Sequence, residues 1–131
     1  MTTDRTRIRL LVVEDDIAVQ RVIKRVAAQA GYEVIQALDG ETGWTIACEM
    51  KPDVILLDIT LPELDGRDLL SRLKKSEATS HIPVVIYSGH DEQHERLLGL
   101  ELGAEEYITK PIEPESVIHA LNSVLRKSRG M

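Results

Sequence analysis

Residues Val54–Asp58 read VILLD: four aliphatic side chains in a row, closed by an acid. A strand with one face in water alternates apolar and polar residues, whereas an unbroken apolar run implies cover on both faces. The same pattern recurs along the chain. Ile8–Val13 reads IRLLVV and stops at Glu14-Asp15-Asp16. Pro83–Tyr87 reads PVVIY and stops at Ser88-Gly89. Two weaker runs, Glu33–Ala37 and Glu106–Thr109, complete the set, the second followed by Lys110-Pro111.

Helical patterns fill the intervals. Over Ile17–Ala30, the residues Ile17, Val22, Ile23, Val26, Ala27 and Ala30 fall on roughly one helical face, and Gly31 follows as a C′ residue. Asp39-Gly40 turns the chain into a second helix, about Glu41–Met50. Pro62 and Asp65-Gly66 punctuate a loop, after which Leu69, Leu70 and Leu73 stripe a third. Asp91 caps a fourth that runs to about Leu102, ahead of Gly103. Pro114, tolerated in a first turn, opens a fifth with Val117, Ile118, Leu121, Val124 and Leu125 on its apolar face. Five buried strands alternating with five helices predict a parallel sheet covered on both faces through right-handed crossovers, a three-layer doubly wound (βα)5 sandwich. With no repeat, low-complexity tract or linker, residues 1–131 read as a single domain with a core of about 7–127 and no output domain.

Composition narrows the function. A chain of 131 residues can bury roughly two thirds of its unfolded surface, enough for a core without metal or disulfide support. Phe is absent and there are one Trp and three Tyr, so the core is aliphatic and stacking platforms for single-stranded nucleic acid are not expected. The formal net charge of −6 argues against direct nucleic-acid binding, which needs a basic surface. No stretch approaches the ~20 apolar residues of a membrane span, so no membrane insertion is expected. The lone cysteine, Cys48, cannot form an internal disulfide and fits a reducing, cytoplasmic location.

In a doubly wound sheet the site lies beyond the carboxyl ends of the strands, where the winding direction switches. The unusual polar residues fall there: Glu14, Asp15 and Asp16 after the first strand, Asp58 after the third, Ser88 after the fourth and Lys110 after the fifth. Several carboxylates in one small volume cannot all stay ionised without a cation. An all-oxygen donor set suits a hard ion, Mg2+ above all, which also accepts phosphate oxygens. Lys110 adds a point charge suited to phosphate, and the Ser88 hydroxyl can donate to a phosphate oxygen. An aspartate held beside the cation can attack phosphorus and become an acyl phosphate. Taken singly these residues have plainer readings. Asp16 reads first as a helix N-cap, Ser88 as a turn residue and Lys110 as a solvated charge; the joint pattern carries the functional reading. His90 and His94, four apart, read as solvated helix residues, Trp44 as a partly buried helix residue and Cys48 as packing.

The sequence resembles a response-regulator receiver domain, the CheY-like phosphoacceptor module of two-component signalling. The resemblance covers about Arg7–Lys127 and rests on LLVVEDD at Leu10–Asp16, VILLDITLPELDG at Val54–Gly66, IPVVIYSGH at Ile82–His90 and GAEEYITKP at Gly103–Pro111. It implies a flavodoxin-like fold with strand order 2-1-3-4-5. By motif, Asp58 matches the phosphorylated aspartate, Asp15 a direct Mg2+ ligand and Glu14 the second acid. Thr60 matches the residue whose backbone carbonyl reaches the metal. Ser88 and Tyr107 match the switch pair, and Lys110 the phosphate-contacting lysine, followed by Pro111. The implied partners are a sensor histidine kinase or histidine phosphotransfer protein upstream. Downstream stands an effector protein docking on the surface of the fourth helix, fifth strand and fifth helix. The resemblance implies that on phosphorylation Ser88 would be drawn to the phosphoryl group and Tyr107 would swing inward into the vacated space. The chain would then be no enzyme beyond supporting its own phosphorylation and dephosphorylation.

Alternative readings are a receiver-fold scaffold acting independently of phosphorylation and a receiver fragment of a longer transcriptional regulator. A dehalogenase-type phosphohydrolase would want a second acid two residues after Asp58, where Thr60 stands. A flavodoxin would want a hydroxyl-rich loop after the first strand, where Glu14-Asp15-Asp16 would repel a phosphate.

Overall fold

A computed structural model describes residues 7–59, 66–88, 100–109, 113–128 and 130. Five strands form one sheet: β1 Ile8–Val13, β2 Tyr32–Ala37, β3 Val54–Asp58, β4 Val84–Ser88 and β5 Glu106–Thr109. Their order across the sheet is β2-β1-β3-β4-β5, every pair parallel. The described helices are α1 Ile17–Gln29, α2 Gly40–Met50, α3 Gly66–Lys75 and α4 Pro114–Ser128. Of the expected helix from Asp91 to about Leu102, residues 100–102 are described: Leu100 and Glu101 are helical and Leu102 lies in a turn.

The alternation of side chains along each strand sorts the aliphatic residues into two cores. Leu11, Val13, Ile55, Leu57, Val84 and Ile86 share one core with Ala47 of α2 and Leu69, Leu70 and Leu73 of α3. Leu10, Val12, Val54, Leu56, Val85 and Tyr87 share the other with Ile23 and Ala27 of α1 and Val117, Leu121, Val124 and Leu125 of α4. All five residues of β3 are buried, as expected of a central strand covered on both faces.

Local chemistry sets the helix ends. The Asp16 carboxylate accepts from the Ala18 and Val19 amides at 2.9 and 3.3 Å, and so caps α1. Asp39 does the same for α2, accepting from the Thr42 amide at 2.7 Å. Gly31 has φ +99°, the left-handed conformation that ends α1 cheaply only in glycine.

The expected inward face of α1 needs correction. Ile23 and Ala27 are buried, but Ile17 is 56% exposed, Val22 44%, and Ala30 is exposed too. The helix instead turns Gln20 inward, at 2% exposure. The Gln20 amide nitrogen lies 3.0 Å from the Val12 carbonyl, 3.1 Å from that of Glu14 and 3.0 Å from that of Ala37. It donates to carbonyls at the carboxyl ends of β1 and β2, which an aliphatic side chain could not do. Two strands also start or end one residue from expectation: β2 begins at Tyr32, and β4 runs from Val84 to include Ser88.

Candidate functional site

The central strands β1 and β3 are neighbours, and their carboxyl ends bring the acids together. Val13 pairs with Leu57, so Glu14 and Asp58 follow at the same level of the sheet. Beyond the ladder, the Glu14 amide still donates to the Ala37 carbonyl at 3.0 Å, which fixes its backbone. Side-chain oxygens of Glu14, Asp15 and Asp58 all lie within 4.8 Å of one another. Glu14 and Asp58 are 1% and 2% exposed, while Asp15 is open to solvent. Asp16 is occupied in capping α1, which settles its reading as structural.

Glu14 is the most tightly held of the three. One carboxylate oxygen accepts from the Tyr87 hydroxyl at 2.7 Å, the other from the Asp16 amide at 3.2 Å. Burial pushes its carboxyl up to about 7, opposed by the Tyr87 hydrogen bond and reinforced by Asp58. The same burial, with the Glu14 and Asp58 charges beside it, raises the Tyr87 phenol well above its ordinary value, so it stays protonated and donates. Tyr87 faces Asp58 directly in the β3–β4 register, and its carbonyl accepts from the Ile59 amide at 3.3 Å.

The chain behind Asp58 has no slack. A Cβ on Gly66 would come within 2.4 Å of the Ile59 Cα and 2.7 Å of the Asp58 carbonyl oxygen. Backbone thus packs on backbone where β3 ends, and only glycine permits that approach.

A hard divalent cation fits this donor set. Among the described residues three carboxylates converge with oxygen donors only, two of them buried, and burial drives Glu14 towards its neutral form. A bound cation would favour the ionised carboxylates, and oxygen ligation favours Mg2+ or Ca2+ over softer ions.

Other expected site residues are placed less fully. Ser88 ends β4 opposite Thr109 of β5, but its side chain is outside the described residues. Thr60, His90, His94, Lys110 and Pro111 also lie outside them. Tyr107 pairs with Ile86 on β5 and is buried, in the core shared with Val84, Ile86 and Ala104. The inward swing expected of Tyr107 therefore has no exposed starting point here. Trp44 is half-buried, with the Arg72 guanidinium 5.0 Å from its ring centroid, and Cys48 is half-buried as well. The sequence reading missed Gln20 and Tyr87. Tyr87 carried a signal: a phenol in an otherwise aliphatic strand needs a polar partner at its tip.

The sequence profile of the family described as response regulator receiver domain matches residues 10–122. The phosphate regulon transcriptional regulatory protein PhoB of Pseudomonas aeruginosa is 36% identical over 119 residues, 91% of this chain and 52% of its own length. The DNA-binding dual master transcriptional regulator RpaA of Synechocystis is 34% identical over 120 residues, 92% of this chain and 50% of its own length. The chain thus spans about half the length of the curated relatives it matches. Among solved structures, a CheY-like receiver domain protein from Methanospirillum hungatei superposes with TM-score 0.89 at 26% identity, covering 95% of this chain and 98% of that one. The receiver domain of Francisella response regulator 1452 gives 0.87 at 30%, covering 93% and 99%.

Proposed function

The chain belongs to the response-regulator receiver domain family of two-component signalling, and on that premise we propose that it is a phosphoacceptor whose Asp58 carries the phosphoryl group. The observation behind this reading is the convergence of Glu14, Asp15 and Asp58 at the carboxyl ends of two central strands. Asp58 attacks the phosphorus of a phosphohistidine on a kinase or phosphotransfer protein. An O–P bond forms, the N–P bond breaks, and the imidazole leaves. Glu14, Asp15 and Asp58, with the Thr60 carbonyl, would hold Mg2+. Bound there, the ion would offset negative charge on the transferring phosphoryl oxygens. Lys110 contacts the same group as a point charge, and the Ser88 hydroxyl donates to it.

A phosphoryl group adds about −1.5 to −2 charge and three acceptor oxygens. Ser88 and the buried Tyr107 ring, on adjacent strands, respond by repacking. The surface of β5, α4 and the helix preceding β5 changes with them and is read by an effector protein. The chain turns over no external substrate beyond its own acyl phosphate. This chemistry belongs in the cytoplasm, where the single Cys48 stays reduced.

Incubation with Mg2+ and acetyl phosphate tests the reading. One phosphate is gained by mass in the wild type, and none in Asp58→Ala. A wild type that gains no mass overturns it.

A second reading is favoured by the length of the relatives: the chain is the receiver part of a longer transcriptional regulator. An open reading frame continuing past Met131 would support it, and a stop codon there would favour a stand-alone receiver of 1–131.

A further inference from the structure

The family resemblance draws attention to the acids, the serine and the lysine; it gives no role to the residue immediately before the serine. In this chain that residue is Tyr87, and it is fully buried. Its hydroxyl donates to one Glu14 carboxylate oxygen at 2.7 Å. Its carbonyl accepts from the Ile59 amide, one residue past Asp58, at 3.3 Å. Through one residue, β4 is tied both to the second acid of the cluster and to the chain carrying the phosphoacceptor.

We propose that Tyr87 is a positioning residue for the divalent cation: its hydroxyl fixes the Glu14 carboxylate beside Asp15 and Asp58. The inference rests on the cation-binding reading above and deepens it. Glu14 reaches the cluster on a side chain with three rotatable bonds, so its oxygens need fixing on both sides. The Asp16 amide holds one of them at 3.2 Å. Tyr87 holds the other, reaching across β3 from β4. Phe fills the same space without the donor, so a buried carboxylate oxygen loses a hydrogen bond while the packing stays. Partners that orient a metal ligand from behind typically set affinity by about 10- to 100-fold.

The test is calorimetric titration of the full chain with MgCl2, for wild type, Tyr87→Phe, Glu14→Gln and the double variant. Tyr87→Phe is expected to weaken Mg2+ binding about tenfold at unchanged stoichiometry. In the Glu14→Gln background, adding Tyr87→Phe is expected to change affinity less than twofold, because the residue acts through Glu14. A purely structural role would lower the stoichiometry through loss of folded protein and leave the affinity alone. That outcome, or equal losses in both backgrounds, overturns the proposal. Phosphorylation by acetyl phosphate supplies a second readout: the Mg2+ concentration for half-maximal rate rises in Tyr87→Phe, and saturating Mg2+ restores most of the rate. A wild type that binds no Mg2+ overturns the cation reading and this inference with it. A wild type that binds normally beside an unaffected Tyr87→Phe overturns the inference alone.

Discussion

At the residue scale, the chemistry concentrates in a few atoms whose neighbours are chosen by opposing demands. Glu14 must be buried to sit at the end of a central strand, yet burial disfavours its charge. Two hydrogen bonds keep it in place, and the Asp58 carboxylate beside it pushes the same way as burial. Its folded value of about 7 lies above the ordinary 4.5, so the folded chain prefers the protonated acid. Its contribution to stability is full below pH 4.5 and is lost as pH rises through about 7. The cation-free chain is thus expected to lose stability across that window, and Glu14→Gln to lose less. Thermal unfolding of both proteins in EDTA at a series of pH values checks this. Mg2+ reverses the sign by favouring the ionised carboxylate, so its affinity is expected to climb over the same pH range.

At the element scale, short-range signals in the sequence and long-range packing contribute differently. The Asp16 cap was legible, and Asp39-Gly40 was legible as the turn into α2; in the structure both carboxylates take free amides of the first turn. Asp16→Ala is expected to cost about 1 kcal/mol, measured by urea unfolding. The stripe on α3 and the apolar face of α4 were legible too, because a helix against a sheet buries a 3.6-residue pattern. The face of α1 was not. Exposed Ile17 and Val22 fit the apolar pattern, and buried Gln20 breaks it. The reason is local to the ends of β1 and β2: the Gln20 amide nitrogen lies within 3.1 Å of the Val12, Glu14 and Ala37 carbonyls, and a buried NH2 group can donate there where a methyl group cannot. Periodicity counts apolar residues and has no means of registering such a demand.

At the scale of the whole molecule, the sheet makes one site out of residues as far apart in sequence as Glu14, Asp58 and Tyr87. Any ligand that binds the folded cluster and ignores the unfolded chain stabilises the fold by mass action. Mg2+ at 100 times its dissociation constant is expected to add about 2.7 kcal/mol, seen as a rise in the unfolding midpoint that Asp58→Ala diminishes. An unchanged midpoint at saturating Mg2+ would mean the cluster does not bind it. Among the described residues no helix is long and apolar enough to cross a membrane.

The sequence by itself determined the architecture and the membership of the acidic cluster. Continuous aliphatic runs such as VILLD can be satisfied only by a sheet covered on both faces, and polar residues that terminate them must gather at one edge. It also determined that Asp16 would cap a helix, a matter of three neighbouring residues. Only the tertiary structure decided which polar groups are held inside: Gln20 under the end of β1, Tyr87 reaching from β4 to Glu14, and Tyr107 already in the core. The Tyr87 and Tyr107 placements depend on which atoms face one another across strands that the chain visits tens of residues apart, and that of Gln20 on how α1 packs back onto the ends of β1 and β2. A phenol in the aliphatic run of β4 signals that its hydroxyl needs a polar partner, but that the partner is Glu14, at 2.7 Å, follows only from the packed sheet.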